Sequence, residues 1–580
     1  MPESLSALQR IVAVCIIGGP SILAAASGEG LIDAARSDDR AAVVALMAEG
    51  ADVNARQPDG TTALAWAAMR SNMGIAASLL NAGADPDLAN ALGLGPLSLA
   101  IQNGSAALVR LLLENGTDPN VARESGETPL MTAARLGQVK VMTLLLDHGA
   151  AMNAREKKFG QTALMWATGN PHVVRLLVDR GADVRATSKT WDVKYTIYIP
   201  TTFTLGKTGI PWNNDGTYIS KKGGQNALFF AVQKRDLESA RVLVDAGLDV
   251  NSVAADGTMP LLASLYKWVP LDGKFVPGRG APALAGSSQK FGPDLALAGF
   301  LLDRGASAIA ADSAGYTPLH AAALAVAWAA RSSDKEKKAG VYRRAPALLS
   351  LGQADGEGST FSPDEALEIV RRLLDAGADP NQQTLYPTPG PAGDVRINPA
   401  PPGSSAFHIA ANSSSLALVN MLADWGADPN LARKDGHTSF SVAVVAGDLP
   451  VVEEMAARGA DLSARYDPDD KLPDPNEAIT LSRQGQTITH IAAASLAPDI
   501  IKSLYSKGAP LNWKNDQGET PLDLADHQER FREALARQRA DGDPDRLRAV
   551  VRPTETTDAI KELLAQHVDR APFGASSVRK

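Results

Sequence analysis

One phrase returns along this chain at a nearly fixed interval, and it limits the available folds more than any other feature. Gly60-Thr-Thr-Ala-Leu, Gly93-Leu-Gly-Pro-Leu, Gly126-Glu-Thr-Pro-Leu and Gly160-Gln-Thr-Ala-Leu follow one another at steps of 33, 33 and 34 residues. The phrase resumes at Gly224, Gly257, Gly315, Gly403, Gly436, Gly485 and Gly518. A partial first copy runs from Leu31 to Asn54, which brings the expected number to twelve. A unit of this size cannot bury its apolar face alone. It must stack on copies of itself.

Each part of the copy has a mechanical reading. Thr128-Pro129 predicts a helix start, because the hydroxyl can cap exposed amides and Pro suits a first turn. Leu130, Ala133 and Ala134 then form an apolar stripe whose small members allow close packing. A second helix is predicted over 139–146, apolar over a wide face. Gly149 ends it, since Gly takes the left-handed cap conformation without a Cβ clash. Closing phrases such as Gly377-Ala-Asp-Pro-Asn and Gly426-Ala-Asp-Pro-Asn predict turns that carry the chain outward before the next copy.

Copies in this register resemble the ankyrin repeat family, and the likeness covers most of residues 29–526. The resemblance implies an all-α solenoid of about twelve helix-turn-helix units. It also implies β-hairpin fingers between units and a concave face made by fingers and inner helices. The phrase is degraded at Gly257-Thr-Met-Pro, Gly436-His-Thr-Ser-Phe and Gly485-Gln-Thr-Ile-Thr, where weaker helix caps are expected.

Wider gaps between copies mark long loop insertions, expected near 187–223, 268–293, 332–362, 382–402, 467–482 and 528–552. In repeat arrays such insertions often bind. The first is rich in rings: Trp191, Tyr195, Tyr198, Phe203, Trp212 and Tyr218. Alternation through Val193, Tyr195, Ile197 and Ile199 predicts a strand, and Asn214-Asp215-Gly216 predicts a tight turn. Together they read as an elongated β-finger beside the groove; the other reading folds the rings back onto neighbouring helices. The Pro-rich 382–402 stretch reads as a stiff surface loop. In the last copy an inner helix starts at Thr520-Pro-Leu and charged residues 528–552 intervene. Residues 556–564 then form a delayed outer helix. A disordered tail is expected over 567–580.

Residues 1–26 read as an address. Arg10, an apolar run over 11–26 and Ala24-Ala-Ala26 make a secretory signal with cleavage after Ala26. A retained anchor is the alternative. No second run of about 20 apolar residues follows, so no integral span is expected after signal removal. The expected location is periplasmic or extracellular, as in an exported ankyrin-repeat protein of bacterial type.

Chemistry is sparse. A formal charge of −8 argues against nucleic acid as the principal partner. The single Cys excludes a disulfide framework and a cysteine zinc site. Gly206-Lys207-Thr208 has Thr201 where the first Gly of a phosphate loop belongs. His320, His408 and His490 hold one position in three different copies, too far apart to share an ion, so they are expected to support adjacent fingers. No catalytic residue, metal or cofactor is expected.

In the family that the chain resembles, the residue two places after the Leu of the phrase faces the groove. Here that row reads Trp66, Leu99, Thr132, Trp166 and Phe230, with Arg70, Gln102, Arg135 and Gln233 one turn later. Rings with Arg and amides suit protein recognition. The expected binding set is therefore Trp66, Arg70, Leu99, Arg135, Trp166, Phe230 and Gln233, joined by Trp191, Tyr195, Tyr198, Trp212 and Tyr218 of the first insertion. The expected function is a non-catalytic exported scaffold for a protein partner. The alternatives are an enzyme or ligand-binding protein whose site the insertions form, and an accessory factor for assembling an envelope complex.

Overall fold

The computed structural model describes residues 20–200, 212–265, 293–333, 362–385, 403–413, 415–433, 436–466, 485–539 and 555–566. Among these residues the chain is helical apart from one strand pair, and within each compact unit the helices stack in chain order. It divides into two compact units: 1–191 with 222–255, and 192–221 with 256–580.

In the first unit, short inner helices alternate with outer ones. Ala63–Arg70 pairs with Met73–Asn81, Pro96–Gln102 with Ala106–Glu114, and Pro129–Arg135 with Val139–Asp147. Ala163–Ala167 then pairs with Pro171–Asp179, and Ala227–Gln233 with Leu237–Asp245. The local chemistry is that of the phrase. Thr128 accepts from Met131 N–H at 3.3 Å, with Pro129 in the first turn. Gly149 has φ +87°, and the helix end closes through Ala150 N–H to Leu145 O at 2.9 Å. Leu130, Ala133, Val141, Met142 and Leu145 are almost wholly buried. Each large apolar side chain buried this way stabilises the stack by about 1.5–3 kcal/mol.

Successive repeats are clasped by the Asn of the closing phrase. Asn54 Oδ1 accepts from Asp85 N–H at 2.7 Å, and its Nδ2 donates to Gly83 O at 3.4 Å. Asn120 repeats the pattern on Ala151 N–H, 2.6 Å, and Gly149 O, 3.2 Å. One amide thus holds the backbone of the next repeat at two points. In the second unit Asn381 and Asn430 make the same clasp.

The second unit pairs Pro260–Leu265 with Leu295–Asp303, Pro318–Ser333 with Pro363–Asp375, and Ala406–Ala411 with Leu416–Asp424. Ser439–Ala446, Ile488–Ala494 and Pro521–Arg539 follow, with outer partners Leu449–Ala457, Pro498–Ser506 and Glu555–Ala565. Three expectations need correction. The degraded phrase at 436–440 keeps its cap, Thr438 Oγ1 accepting from Ser441 N–H at 3.1 Å. Residues 528–539 continue the inner helix that starts at Pro521, because Glu, Arg, Ala, Leu and Gln are good helix formers. Asn214-Asp215-Gly216 lies inside strand β2 (Trp212–Gly223), which pairs with β1 (Thr190–Pro200), so strand pairing overrides its turn preference.

The expected insertions 268–293, 332–362, 382–402 and 467–482 lie largely outside the described residues, as do residues 1–19 and the tail 567–580. Residues 20–26 form the start of helix Pro20–Arg36, so cleavage after Ala26 would fall within that helix. Among the described residues no helix is long and apolar enough to cross a membrane.

Candidate functional site

The expected binding row is carried by the inner helices, and its polar partners come from residues that precede or follow those helices. Trp66 and Trp166 are half-buried, and each is held twice. Trp66 Nε1–H donates to Gln57 Oε1 at 3.1 Å, and Trp166 Nε1–H donates to Gln161 Oε1 at 2.8 Å. From the preceding repeat, the Arg36 guanidinium lies 6.0 Å from the Trp66 ring centre, and that of Arg135 lies 5.9 Å from Trp166. A guanidinium over an indole contributes about 0.5–1 kcal/mol at an exposed site. Each ring thus has two contacts that restrict its orientation.

Arg135 is itself oriented by Glu127, at 3.6 Å, which also accepts from Thr132 Oγ1 at 2.9 Å and pairs with Arg123 at 3.0 Å. Phe230 is half-buried in the same phase, and Gln233 Nε2–H donates to Gln225 Oε1 at 3.1 Å. Lys234 Nζ donates to the carbonyls of Trp166, at 3.4 Å, and Thr168. Desolvation at that site draws its pKa below the usual lysine value.

Not every expected residue offers surface. Leu99 is only 5% exposed and Thr132 only 4%, so the row is interrupted between Trp66 and Trp166. Leu99 is packed into the stack and presents nothing to a partner. Arg70 is exposed and makes no hydrogen bond or ion pair among the described residues. Trp191 is 40% exposed and meets Phe159 in a tilted ring contact, ring centres 5.2 Å apart. Tyr195 and Tyr198 lie on β1, and Trp212 and Tyr218 on β2; their side chains are outside what the structure describes.

Arg36, Gln57, Glu127, Gln161, Phe159 and Lys234 escaped the sequence reading. One signal was available: the residue after the finger Gly, as in Gly126-Glu127, Gly160-Gln161 and Gly224-Gln225, touches the inner helix in all three cases.

The three histidines support fingers, as their position in the phrase implied. Nδ1 of His320 accepts from Thr317 N–H at 3.2 Å, which leaves the proton on Nε2 to donate to Ser404 O at 3.0 Å. His490 bridges Thr487 N–H, 3.1 Å, to Glu519 O, 3.0 Å, and His408 bridges Ser405 N–H, 3.1 Å, to His437 O, 3.2 Å. With both ring nitrogens engaged, none has a lone pair free for an ion. Burial lowers the His320 pKa to about 4 and draws that of His490 down as well. Both rings stay neutral near pH 7.

The family model for ankyrin repeats (3 copies) matches residues 31–123 and 97–188. The chain is 36% identical over 124 residues to the E3 ubiquitin-protein ligase KEG of Arabidopsis thaliana, covering 21% of this chain and 7% of that protein. It is 27% identical over 123 residues to the transient receptor potential cation channel subfamily A member 1 homolog of Caenorhabditis elegans, covering 21% of this chain and 9% of that protein. The matched part of the chain therefore spans less than a tenth of either relative's length.

Proposed function

Since this chain is an ankyrin-repeat protein, we propose that it is a non-catalytic scaffold that binds a protein partner through the face carrying Trp66, Trp166 and Phe230. One observation carries the reading. The same device occurs twice, at Trp66 and at Trp166, with an indole held by an Arg of the preceding repeat and a Gln of its own finger. Rings fixed in advance lose little freedom on binding, which favours affinity. Core packing alone does not require each half-buried indole to meet both an Arg and a Gln. Arg70 and Gln233 add a free guanidinium and an amide to the same row.

The partner works outside the cytoplasm in this reading. Arg10, the apolar run 11–26 and Ala24-Ala-Ala26 direct export, and cleavage leaves a chain beginning at Ser27, periplasmic in a cell with two membranes and otherwise extracellular. The buried part of the first inner helix, Leu31, Ile32, Ala34 and Ala35, survives that cut.

The test is to purify the native partner from an envelope extract, identify it by mass spectrometry, and remeasure binding with both proteins pure. Trp166→Ala is expected to weaken that binding while circular dichroism stays helical. A small molecule carried through purification with no protein partner would replace this reading with a ligand-binding one.

A further inference from the structure

Four cations crowd the finger tips of two adjoining repeats in the first unit. Arg155, Lys157 and Lys158 belong to one finger and Lys189 to the next, and all four are exposed. The two tips are knit together. Lys189 N–H donates to Phe159 O at 2.7 Å, and Lys189 Nζ donates to Lys157 O at 2.7 Å. Arg155 donates to Gly160 O at 3.0 Å and to Thr187 O. These acceptors are neutral carbonyls, so they orient the charges without cancelling them.

Among the described residues none of the four makes an ion pair. The nearest acid in sequence, Glu156, is turned away. It is 6% exposed, and its oxygens accept from the backbone N–H groups of Lys158, 2.7 Å, Phe159, 2.7 Å, and Gln161, 3.0 Å. The tips therefore carry a net positive charge, four exposed cations beside the exposed Asp192, on a chain whose net charge is −8.

Apolar surface lies within the same cluster. The Phe159 and Trp191 rings meet at 5.2 Å with a 52° tilt, and Lys158 Nζ stands 4.8 Å from the Phe159 ring centre. Trp191 is backed by Gly223, where an added Cβ would stand 2.6 Å from the indole. A partly exposed ring is thus seated firmly among unpaired cations.

We propose that the tip formed by Lys157, Lys158, Lys189, Phe159 and Trp191 docks an acidic, aromatic-bearing segment of the protein partner. The inference rests on the protein-binding reading above and names the chemistry of what is bound. Opposite charge across such a contact mainly raises the association rate and fixes register, while the seated ring supplies desolvated area. A short acidic segment fits better than a nucleic acid. The exposed indole beside the cations suits a segment that brings apolar area as well as charge, and an oligonucleotide is the competing outcome of the test.

The full chain is panned against a display library of short random peptides, and one selected peptide is labelled for titration. Selected sequences are expected to be rich in Asp, Glu and aromatic residues. The variant K157E/K158E/K189E is expected to bind the labelled peptide roughly tenfold more weakly or worse, with loss of its salt dependence. Lys140→Glu, on the outer helix Val139–Asp147, should leave binding unchanged. Circular dichroism verifies folding, and the milder K157Q/K158Q/K189Q variant should show a smaller loss. Selection without acidic bias, binding unaffected by charge reversal, or tighter binding of a short single-stranded oligonucleotide would each overturn the proposal. If the native partner tolerates charge reversal but is lost with Trp166→Ala, this inference fails and the protein-binding reading stands. If neither variant affects the partner, that reading fails as well.

Discussion

The guanidinium of Arg135 stands 5.9 Å from the ring centre of Trp166, one repeat further along the chain. A double-mutant cycle of Arg135→Ala and Trp166→Ala, read as local opening free energy by hydrogen exchange, should give a coupling of about 0.5–1 kcal/mol. Zero coupling would mean that the two groups are merely near each other and that the ring is not held.

Asn120 makes two hydrogen bonds to the backbone of the next repeat. Asn120→Ala should cost about 1–2 kcal/mol, since each bond contributes about 1 kcal/mol net. Urea unfolding followed by helical signal would detect it. A variant as stable as the parent would show that water replaces the clasp without loss.

Glu156 closes the one finger whose step is 34 residues rather than 33, and its longer arm reaches three backbone amides across the extra residue. Glu156→Ala should destabilise the finger by about 1–2 kcal/mol, because three half-buried backbone donors lose their acceptor. Amide exchange at Lys158, Phe159 and Gln161 should accelerate together. Unchanged exchange at these three would contradict the assignment.

His320 has its pKa lowered to about 4 by burial, against 6.5 when free. The unfolded chain therefore binds a proton more readily than the folded one, so this group's contribution is intact above pH 6.5. Stability declines as pH falls from 6.5 to about 4, by about 3 kcal/mol in total at roughly 1.4 kcal/mol per pKa unit. Hydrogen exchange around helix Pro318–Ser333, measured over that range in the parent and in His320→Gln, checks it. Identical pH profiles would remove His320 from the account.

Much of this was legible because the repeat writes its mechanics locally. Thr128, Pro129 and Gly149 act within a few residues of themselves, so caps and helix ends could be read from the phrase. The expected binding row was half legible. Its phase placed Trp66, Trp166 and Phe230 together, but Leu99 has the same phase and is buried, because exposure depends on what the neighbouring repeats lay over it. Arg36 and Lys234 were hidden for the same reason: each reaches a tryptophan, by ring or by carbonyl, in another repeat. Asn214-Asp215-Gly216 misled because a turn preference yields to strand pairing when a partner strand is in reach. The run 528–539 misled because charge was read as interruption, although its Glu, Arg, Ala, Leu and Gln are good helix formers.

The most direct test of the central claim is the affinity of the purified native partner for the parent chain and for Trp66→Ala/Trp166→Ala. Anchoring rings commonly contribute about 2 kcal/mol each, so a loss of roughly a thousandfold is expected while the helical signal is retained. Unchanged affinity in a folded double variant would contradict the claim that this face binds the partner.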